Sequence, residues 1–213
     1  MLARPPARSL EGALAAEHLA RLRDAAATAP AVRRSAHALA TLVLAEALRD
    51  LETVPGAVRT PVGDAAVARV ARRVTAVPLL RAGLVMLQPA LDLLPDTARV
   101  GFIGLARDER TLRPATYLRS LPAGLEADEV VLLDVMIATG GSARAAVAAL
   151  RDAGAERIRL AGLIAAPEGL QALAAAHPGV PVTVAAIDEG LDHRGFIVPG
   201  LGDAGDRLYA EPG

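Results

Sequence analysis

The segment Glu129–Ser142 holds the residues of this chain that are best suited to chemistry. It reads EVVLLDVMIATGGS, with an apolar run at Val130–Leu133, an acid at Asp134 and the small residues Thr139-Gly140-Gly141-Ser142 at its end. A bounded apolar run is typical of a buried parallel strand. The Ala-rich stretch Ala143–Ala153 that follows is typical of a helix. The segment therefore predicts a strand, a short loop and a helix in succession.

Such a strand–loop–helix unit is suited to binding a phosphate. The backbone N–H groups of the loop and of the helix N-terminus point at one place. Small residues let a phosphate come close to the backbone. Asp134, at the predicted end of the strand, could accept hydrogen bonds from sugar hydroxyls. These features together predict a ribose 5-phosphate pocket.

Two arginines follow other predicted strands. Arg81 comes after Val74–Leu80, and Arg107 comes after Arg99–Leu105. Ligands in doubly wound sheets bind beyond the carboxyl ends of the strands, so we expect Arg81 and Asp134 to share one crevice. An arginine there can hold phosphate oxygens in a bidentate manner. The alternatives stay open: Arg81 as a surface ion pair, and Arg107 as part of a solvated charge cluster.

The composition excludes several other classes of protein. The 213 residues carry a formal net charge of −1, which disfavours a protein whose main function is to bind nucleic acid. The sequence has no cysteine and no lysine, so disulfides, cysteine metal sites, Schiff-base chemistry and a Walker lysine are all excluded. The four histidines show no metal-ligand spacing. We expect no signal peptide and no membrane span, and therefore a cytoplasmic protein.

The remaining patterns predict one α/β domain over residues 1–213. Strands alternate with helices, which favours a parallel sheet with helices on both faces. Residues 108–125 read as a long exposed loop or hairpin, and residues 60–64 as a turn. The predicted parts are two N-terminal helices at about 11–51, a sheet core at about 74–187 and a C-terminal loop at about 188–210. Within the core, the further predicted helices are 84–94 and 168–176, and the further strands are 157–165 and 180–187.

The C-terminal loop contains a literal G-x-G-x-x-G at Gly200–Gly205. A dinucleotide fingerprint needs a following helix and an acid about 20 residues later, and only eight residues follow Gly205, which argues against that interpretation. A tight turn is one interpretation. The other is a ligand-contacting loop, because Asp203 and Asp206 lie among glycines that expose the backbone.

Several segments together resemble one family, uracil phosphoribosyltransferase. The family's D-P-M-L-A-T-G-G-S loop corresponds to Asp134–Ser142, and its V-P-I-L-R-A-G-L segment to Val77–Leu84. Its long C-terminal signature, Y-I-x-P-G-L-G-D-A-G-D followed by K or R, corresponds to Phe196–Arg207. The segments A-A-P-E-G and A-H-P match Ala165–Gly169 and Ala176–Pro178.

The resemblance also includes Leu22–Asp24, Thr28 and Arg33, and covers nearly the whole chain after about residue 18. It implies a type I phosphoribosyltransferase-like α/β fold: a mostly parallel, twisted sheet flanked by helices, with a C-terminal base-binding hood loop. It implies that uracil and 5-phospho-α-D-ribose 1-diphosphate (PRPP) are converted to UMP and diphosphate in pyrimidine salvage. The implied cofactor is Mg²⁺, bound mainly through the PRPP diphosphate and water.

The same resemblance assigns roles to individual residues. The implied catalytic residues are Arg107 and Asp203. The implied PRPP-binding residues are Arg81, Arg107, Asp134, Val135, Met136, Ile137, Ala138, Thr139, Gly140, Gly141, Ser142 and Asp203. The implied uracil-binding residues are Ile197, Gly202, Asp203 and Ala204, acting largely through backbone groups. A homo-oligomer (dimer or tetramer) is expected, GTP is a candidate effector, and no stable nucleic-acid or membrane partner is expected.

Four positions depart from the family pattern. Val135 replaces a proline, and Ala45, Ala106 and Phe196 each replace a tyrosine. These departures keep two alternatives open. One is a related phosphoribosyltransferase with altered base preference. The other is a catalytically weak ligand-sensing or RNA-regulatory protein on the same fold.

Overall fold

A computed structural model describes residues 7–107 and 114–209, and for Arg107, Pro114 and Ala115 it describes the backbone alone. The strands are β1 (Ala7–Ser9), β2 (Thr53–Arg59), β3 (Asp64–Val70), β4 (Val74–Leu80), β5 (Arg99–Val100), β6 (Phe102–Arg107), β7 (Pro114–Ser120), β8 (Glu129–Ile137), β9 (Arg157–Ala165), β10 (Val182–Ile187), β11 (Gly190–Leu191) and β12 (Ile197–Val198). The helices are α1 (Ala13–Arg23), α2 (Ala29–Ala47), α3 (Leu87–Leu93), α4 (Gly141–Asp152), α5 (Pro167–Ala176) and α6 (Ala204–Tyr209). Short 3-10 turns lie at Ala82–Met86 and Leu125–Ala127.

The main sheet has the strand order β1-β10-β9-β8-β4-β6-β7, with β5 beside β4. All neighbours are parallel except β6 and β7, which pair antiparallel. The chain runs outward from β4 to β6 on one side, and from β8 through β9 to β10 on the other. The strand order therefore reverses between β4 and β8, which is where open α/β sheets bind their ligands.

Helices cover both faces of this sheet. Successive side chains of β8 point to opposite faces, as a strand requires. Val131 and Leu133 pack in the apolar cluster that includes α1, α2 and α6. Val130 and Leu132 pack in the cluster that includes α4 and α5. The predicted sheet with helices on both faces is confirmed.

The predicted strands Val74–Leu80 and Arg157–Ala165 match β4 and β9 to the residue. The hairpin of β2 and β3 is a difference, because the sequence predicted only its turn. Both strands form a separate two-stranded sheet whose residues are mostly exposed. They lack the apolar alternation that reveals a half-buried strand.

The region predicted as an exposed loop or hairpin contains β7, which is one arm of a hairpin with β6. Residues 108–113 lie outside the described part of the chain. Within residues 7–107 and 114–209, no helix combines the length and the apolar character needed to cross a membrane.

Candidate active site

The predicted phosphate loop joins β8 to α4. Gly140 stands at the N-cap of α4 with a left-handed backbone, at φ 75°, and its carbonyl accepts a hydrogen bond from the Arg144 N–H at 2.9 Å. A glycine serves here because other residues are strained in that conformation. Thr139 and Ser142 are exposed on either side of Gly140, so their polar groups are available to a ligand.

Asp134 lies inside β8 rather than at its end, so the predicted end of the strand is wrong. β8 continues because Met136 and Ile137 pair with β9. The Asp134 side chain is 9% exposed and accepts a long hydrogen bond, 3.4 Å, from the Met136 N–H. Burial raises the pKa of Asp134 to about 7, and this single hydrogen bond lowers it only in part. The carboxyl therefore changes charge near neutral pH.

The other residues of the predicted PRPP-binding segment differ in how they are exposed. The side chains of Val135 and Ile137 are buried in the two apolar clusters, so only their backbone could reach a ligand. Met136 and Ala138 are half-buried, and Gly141 is also partly exposed. Contact with a phosphate would therefore come from backbone N–H groups and from the Thr139 and Ser142 side chains.

Arg81 follows β4, and its side chain is exposed. The peptide bond between Leu80 and Arg81 is cis. The backbone at Gly83 lies so close to the Leu133 carbonyl that a Cβ on Gly83 would overlap it. The turn carrying Arg81 is thus packed against β8 one residue before Asp134. Arg81 and Asp134 lie on neighbouring segments, as the sheet topology predicted.

Arg81 also lies near the C-terminal segment. A Cβ placed on Gly205 would be 3.8 Å from Arg81 Nη2 and 3.2 Å from Asp203 Oδ1. The exposed Asp203 accepts a hydrogen bond from the Asp206 N–H at 3.0 Å and so caps α6. Arg81 and Asp203 therefore both lie beside Gly205. Arg107 is the last residue of β6, whose carboxyl end lies on the same side as that of β4. The side chain of Arg107 lies outside the described part of the structure.

The predicted base-binding residues run from Ile197, in β12, through a tight turn to Ala204, the first residue of α6. We call Ile197–Ala204 the base turn. Gly200 and Gly202 both have left-handed backbones, and a Cβ on Gly200 would overlap the Ile197 carbonyl. The Ile197 and Ala204 side chains are buried in the core. The base turn thus presents mainly backbone groups.

The hairpin of β11 and β12 connects the base turn to the phosphate loop. A Cβ on Gly195, near the hairpin tip, would be 3.8 Å from Thr139 Cγ2. Phe196, which stands where the family has tyrosine, lies under the Arg194 guanidinium at 5.2 Å from the ring centroid. The hairpin that leads into the base turn therefore lies beside the phosphate loop.

Sequence reasoning missed two acids that hold this crevice together. Glu168 of α5 accepts a hydrogen bond from the Leu191 N–H at 3.2 Å. Asp188, directly after β10, accepts one from the Gly200 N–H at 2.9 Å. An acid immediately after a strand was the signal that selected Asp134, and the same signal could have found Asp188.

The residues of the site fit a hydrated Mg²⁺ that is bound mainly through the substrate. Among the residues that the structure describes, no three His, Asp or Glu side chains cluster closely enough to hold a metal ion by themselves. Asp134 and the exposed Asp203 supply carboxylate oxygens at the crevice. Mg²⁺ commonly binds through one or two carboxylates, substrate phosphates and water, so this donor set suits it.

Comparisons with known proteins agree with the geometry. A family model described as "Uracil phosphoribosyltransferase" matches residues 9–210. A uracil phosphoribosyltransferase from Roseiflexus castenholzii is 52% identical over 171 residues, which are 80% of this chain and 82% of that protein. The solved AQ2163 protein from Aquifex aeolicus is 36% identical with a TM-score of 0.90, covering 96% of this chain and 98% of that one.

A more distant structure extends the likeness to the fold alone. The purine phosphoribosyltransferase from Pyrococcus horikoshii Ot3 is 18% identical with a TM-score of 0.50, over 73% of this chain and 84% of that one. The predicted type I phosphoribosyltransferase fold is therefore confirmed. No comparison favours the RNA-regulatory alternative or an altered base preference. The chain belongs to the uracil phosphoribosyltransferase family.

Proposed function

We propose that this crevice transfers the 5-phosphoribosyl group of PRPP to uracil, giving UMP and diphosphate. The observation that carries the proposal is the arrangement of three segments in a member of this family. The phosphate loop, the Arg81 turn and the base turn meet at the reversal of strand order, beyond the carboxyl ends of β4 and β8. Donor and acceptor sites are thereby placed side by side.

The phosphate loop binds the 5-phosphate of the donor. The first N–H groups of α4, which have no partner within the helix, and the positive end of the helix dipole favour an anion there. The Thr139 and Ser142 hydroxyls add hydrogen-bond donors. Asp134, beneath the loop, accepts hydrogen bonds from the ribose hydroxyls and so orients the sugar.

The leaving diphosphate is held on the other side of the ribose. Displacement at the anomeric carbon builds positive charge on the sugar and negative charge on the departing oxygen. Arg81 and Arg107 stabilise that negative charge through bidentate hydrogen bonds. Mg²⁺ bound to the diphosphate would supply further charge neutralisation. Holding both reactants in place supplies much of the remaining rate enhancement.

The base turn reads uracil through its backbone. Backbone N–H and C=O groups between Ile197 and Ala204 match the alternating carbonyl and N–H edge of uracil. Cytosine presents an amino group where uracil has a carbonyl, so a buried donor would be left without a partner. The pocket is thus selective without a dedicated polar side chain.

The experiment is a product assay on the purified protein with PRPP, uracil and Mg²⁺. UMP and diphosphate should form in equal amounts, and formation should stop when EDTA removes the Mg²⁺. Arg81→Ala should lower kcat/KM for PRPP by about 10- to 100-fold, since it removes charged hydrogen bonds. Arg72→Ala is the control, because Arg72 pairs with Glu52 near the surface at 3.6 Å. Absence of UMP, or equal loss in both variants, would contradict the proposal.

A further inference from the structure

The C-terminus of α1 lies against the base turn, although the two are far apart in sequence. Asp188 joins them, and its side chain is only 3% exposed. Arg23 Nη2 donates to Asp188 Oδ1 at 2.5 Å, and the Gly200 N–H donates to Asp188 Oδ2 at 2.9 Å. One carboxylate oxygen of Asp188 therefore has its partner on α1, and the other has its partner in the base turn.

Asp188 is itself fixed to the main sheet. Its N–H donates to the Ala165 carbonyl at the end of β9, at 2.8 Å. The next residue, Glu189, donates its N–H to the Val198 carbonyl at 3.0 Å. These two backbone hydrogen bonds fix the Asp188 carboxylate relative to the main sheet. They therefore also fix the Gly200 N–H that donates to it.

Arg207 makes the reciprocal connection from the C-terminal side. Its guanidinium donates to the Leu22 and Asp24 carbonyls at the end of α1, each at 2.5 Å. It also donates to the Leu201 carbonyl within the base turn, at 3.0 Å. Arg23 reaches from α1 to the sheet, and Arg207 reaches back from α6 to α1.

We propose that Arg23, Asp188 and Arg207 form a clasp that positions the base turn for uracil. The inference rests on the proposed function and deepens it by naming positioning residues for the acceptor subsite. The clasp touches the base turn at Gly200 and Leu201, and none of the contacts described reaches the phosphate loop. Loosening it should therefore weaken uracil binding selectively and leave donor binding nearly intact.

The kinetic test compares KM values for the two substrates. Arg23→Ala should raise the uracil KM by about 10- to 100-fold, the loss expected for a charged hydrogen bond, and change the PRPP KM less than about threefold. Arg23→Lys, which keeps the charge, should recover part of the loss. Arg21→Ala is the matched control on α1, because Arg21 is exposed and pairs with Glu17 on the same helix.

A second variant covers the case in which Arg23→Ala fails to fold. Removing Arg23 alone leaves the Asp188 carboxylate buried without its counter-charge. The double variant Arg23→Met with Asp188→Leu removes both charges and the acceptor of the Gly200 N–H. Because a buried ion pair can be replaced by apolar residues of similar volume, it should fold, and it should still show the raised uracil KM. A wild-type uracil KM in a folded variant, or an equal rise in both KM values, would overturn the clasp.

Hydrogen exchange separates this proposal from the proposed function, because it needs no turnover. Amides of the Ile197–Ala204 peptide should exchange faster in the double variant than in the wild type. Amides of the Gly141–Asp152 peptide should exchange at the wild-type rate. Unchanged exchange at Ile197–Ala204 would refute the clasp even if the wild type forms UMP. Faster exchange there in a protein that forms no UMP would refute the function and leave the clasp standing.

Discussion

The backbones of Gly140 and Gly169 lie in direct contact. A Cβ on Gly140 would be 2.6 Å from the Gly169 carbonyl oxygen, and a Cβ on Gly169 would overlap the Ala138 carbonyl. The first turn of α5 therefore supports the phosphate loop from behind, with no side chain between them. Because the contact is between two backbones, no flexible side chain can move aside, and a larger residue at either glycine would force one of the two segments to shift.

We expect Gly140→Ala to disable donor binding. The new methyl group would collide with Gly169, and alanine is strained at the left-handed conformation of Gly140. The PRPP Kd, measured by isothermal titration, should rise by at least 10-fold. Gly179→Ala is the control. Gly179 has φ 87° and open space around its Cβ position, so alanine there introduces the backbone strain without a steric collision. Equal PRPP affinity in the two variants would contradict this role of the contact.

Asp134→Ala should impair donor use. The ribose hydroxyls would lose a hydrogen-bonding carboxylate, which is worth about 1.5–3 kcal/mol, or roughly 10- to 100-fold in kcat/KM for PRPP. The folded state should lose little, since burying this carboxyl is unfavourable at neutral pH. Steady-state kinetics and thermal unfolding of the same sample check both halves. A wild-type kcat/KM would rule out Asp134 as a sugar ligand.

The raised pKa of Asp134 also makes stability depend on pH. Between about pH 4 and pH 7, the folded protein keeps a proton on Asp134 that the unfolded chain has released. The free energy of unfolding should therefore fall as the pH rises through this window. Asp134→Asn removes the effect and should be more stable than wild type at pH 8, by on the order of 4 kcal/mol. Urea unfolding at pH 4, 6 and 8 gives the free energy of unfolding of both proteins. The same pH dependence in wild type and variant would refute the raised pKa.

A second buried acid, Asp128, lies directly before β8, at the amino ends of the parallel strands. Thr75 Oγ1 donates to it at 2.5 Å, and Arg73 and Arg99 donate through Nε at 3.2 Å each. Burial alone would raise the pKa of Asp128. The hydrogen bonds from Thr75 and Arg99, with the charge of Arg99, outweigh burial and hold that pKa below its usual value.

Asp128→Ala should destabilise the fold by about 1–3 kcal/mol, because the buried Thr75 hydroxyl and the partly buried Arg99 guanidinium lose their acceptor. The substrate KM values of the folded fraction should stay at wild-type levels. Since the pKa of Asp128 is lowered on folding, its stabilisation is present above the usual pKa and is lost as the pH falls through the folded value. Asp64→Ala is the control, since its pair with Arg59 is mostly exposed and worth about 0–1 kcal/mol. Similar urea midpoints for both variants would contradict the assignment.

The sequence predicted those parts of the site that depend on local pattern. The apolar run before Asp134 and the small residues after it were sufficient to place the phosphate loop. The extension of β8 past Asp134 depends on pairing with β9, which local pattern does not reveal. The clasp joins Arg23 to Asp188, 165 residues apart, and such pairings follow only from the fold. Mg²⁺, the homo-oligomer and the GTP response stay predictions.

The most direct measurement is the ratio of kcat/KM for uracil to kcat/KM for cytosine, at one concentration each of PRPP and Mg²⁺. A base turn that pairs its backbone groups with the uracil edge leaves a buried polar atom unpaired when cytosine enters. That costs about 1–3 kcal/mol, so uracil should be preferred by roughly 5- to 150-fold or more. Equal turnover of cytosine, or better use of hypoxanthine or adenine, would contradict the account.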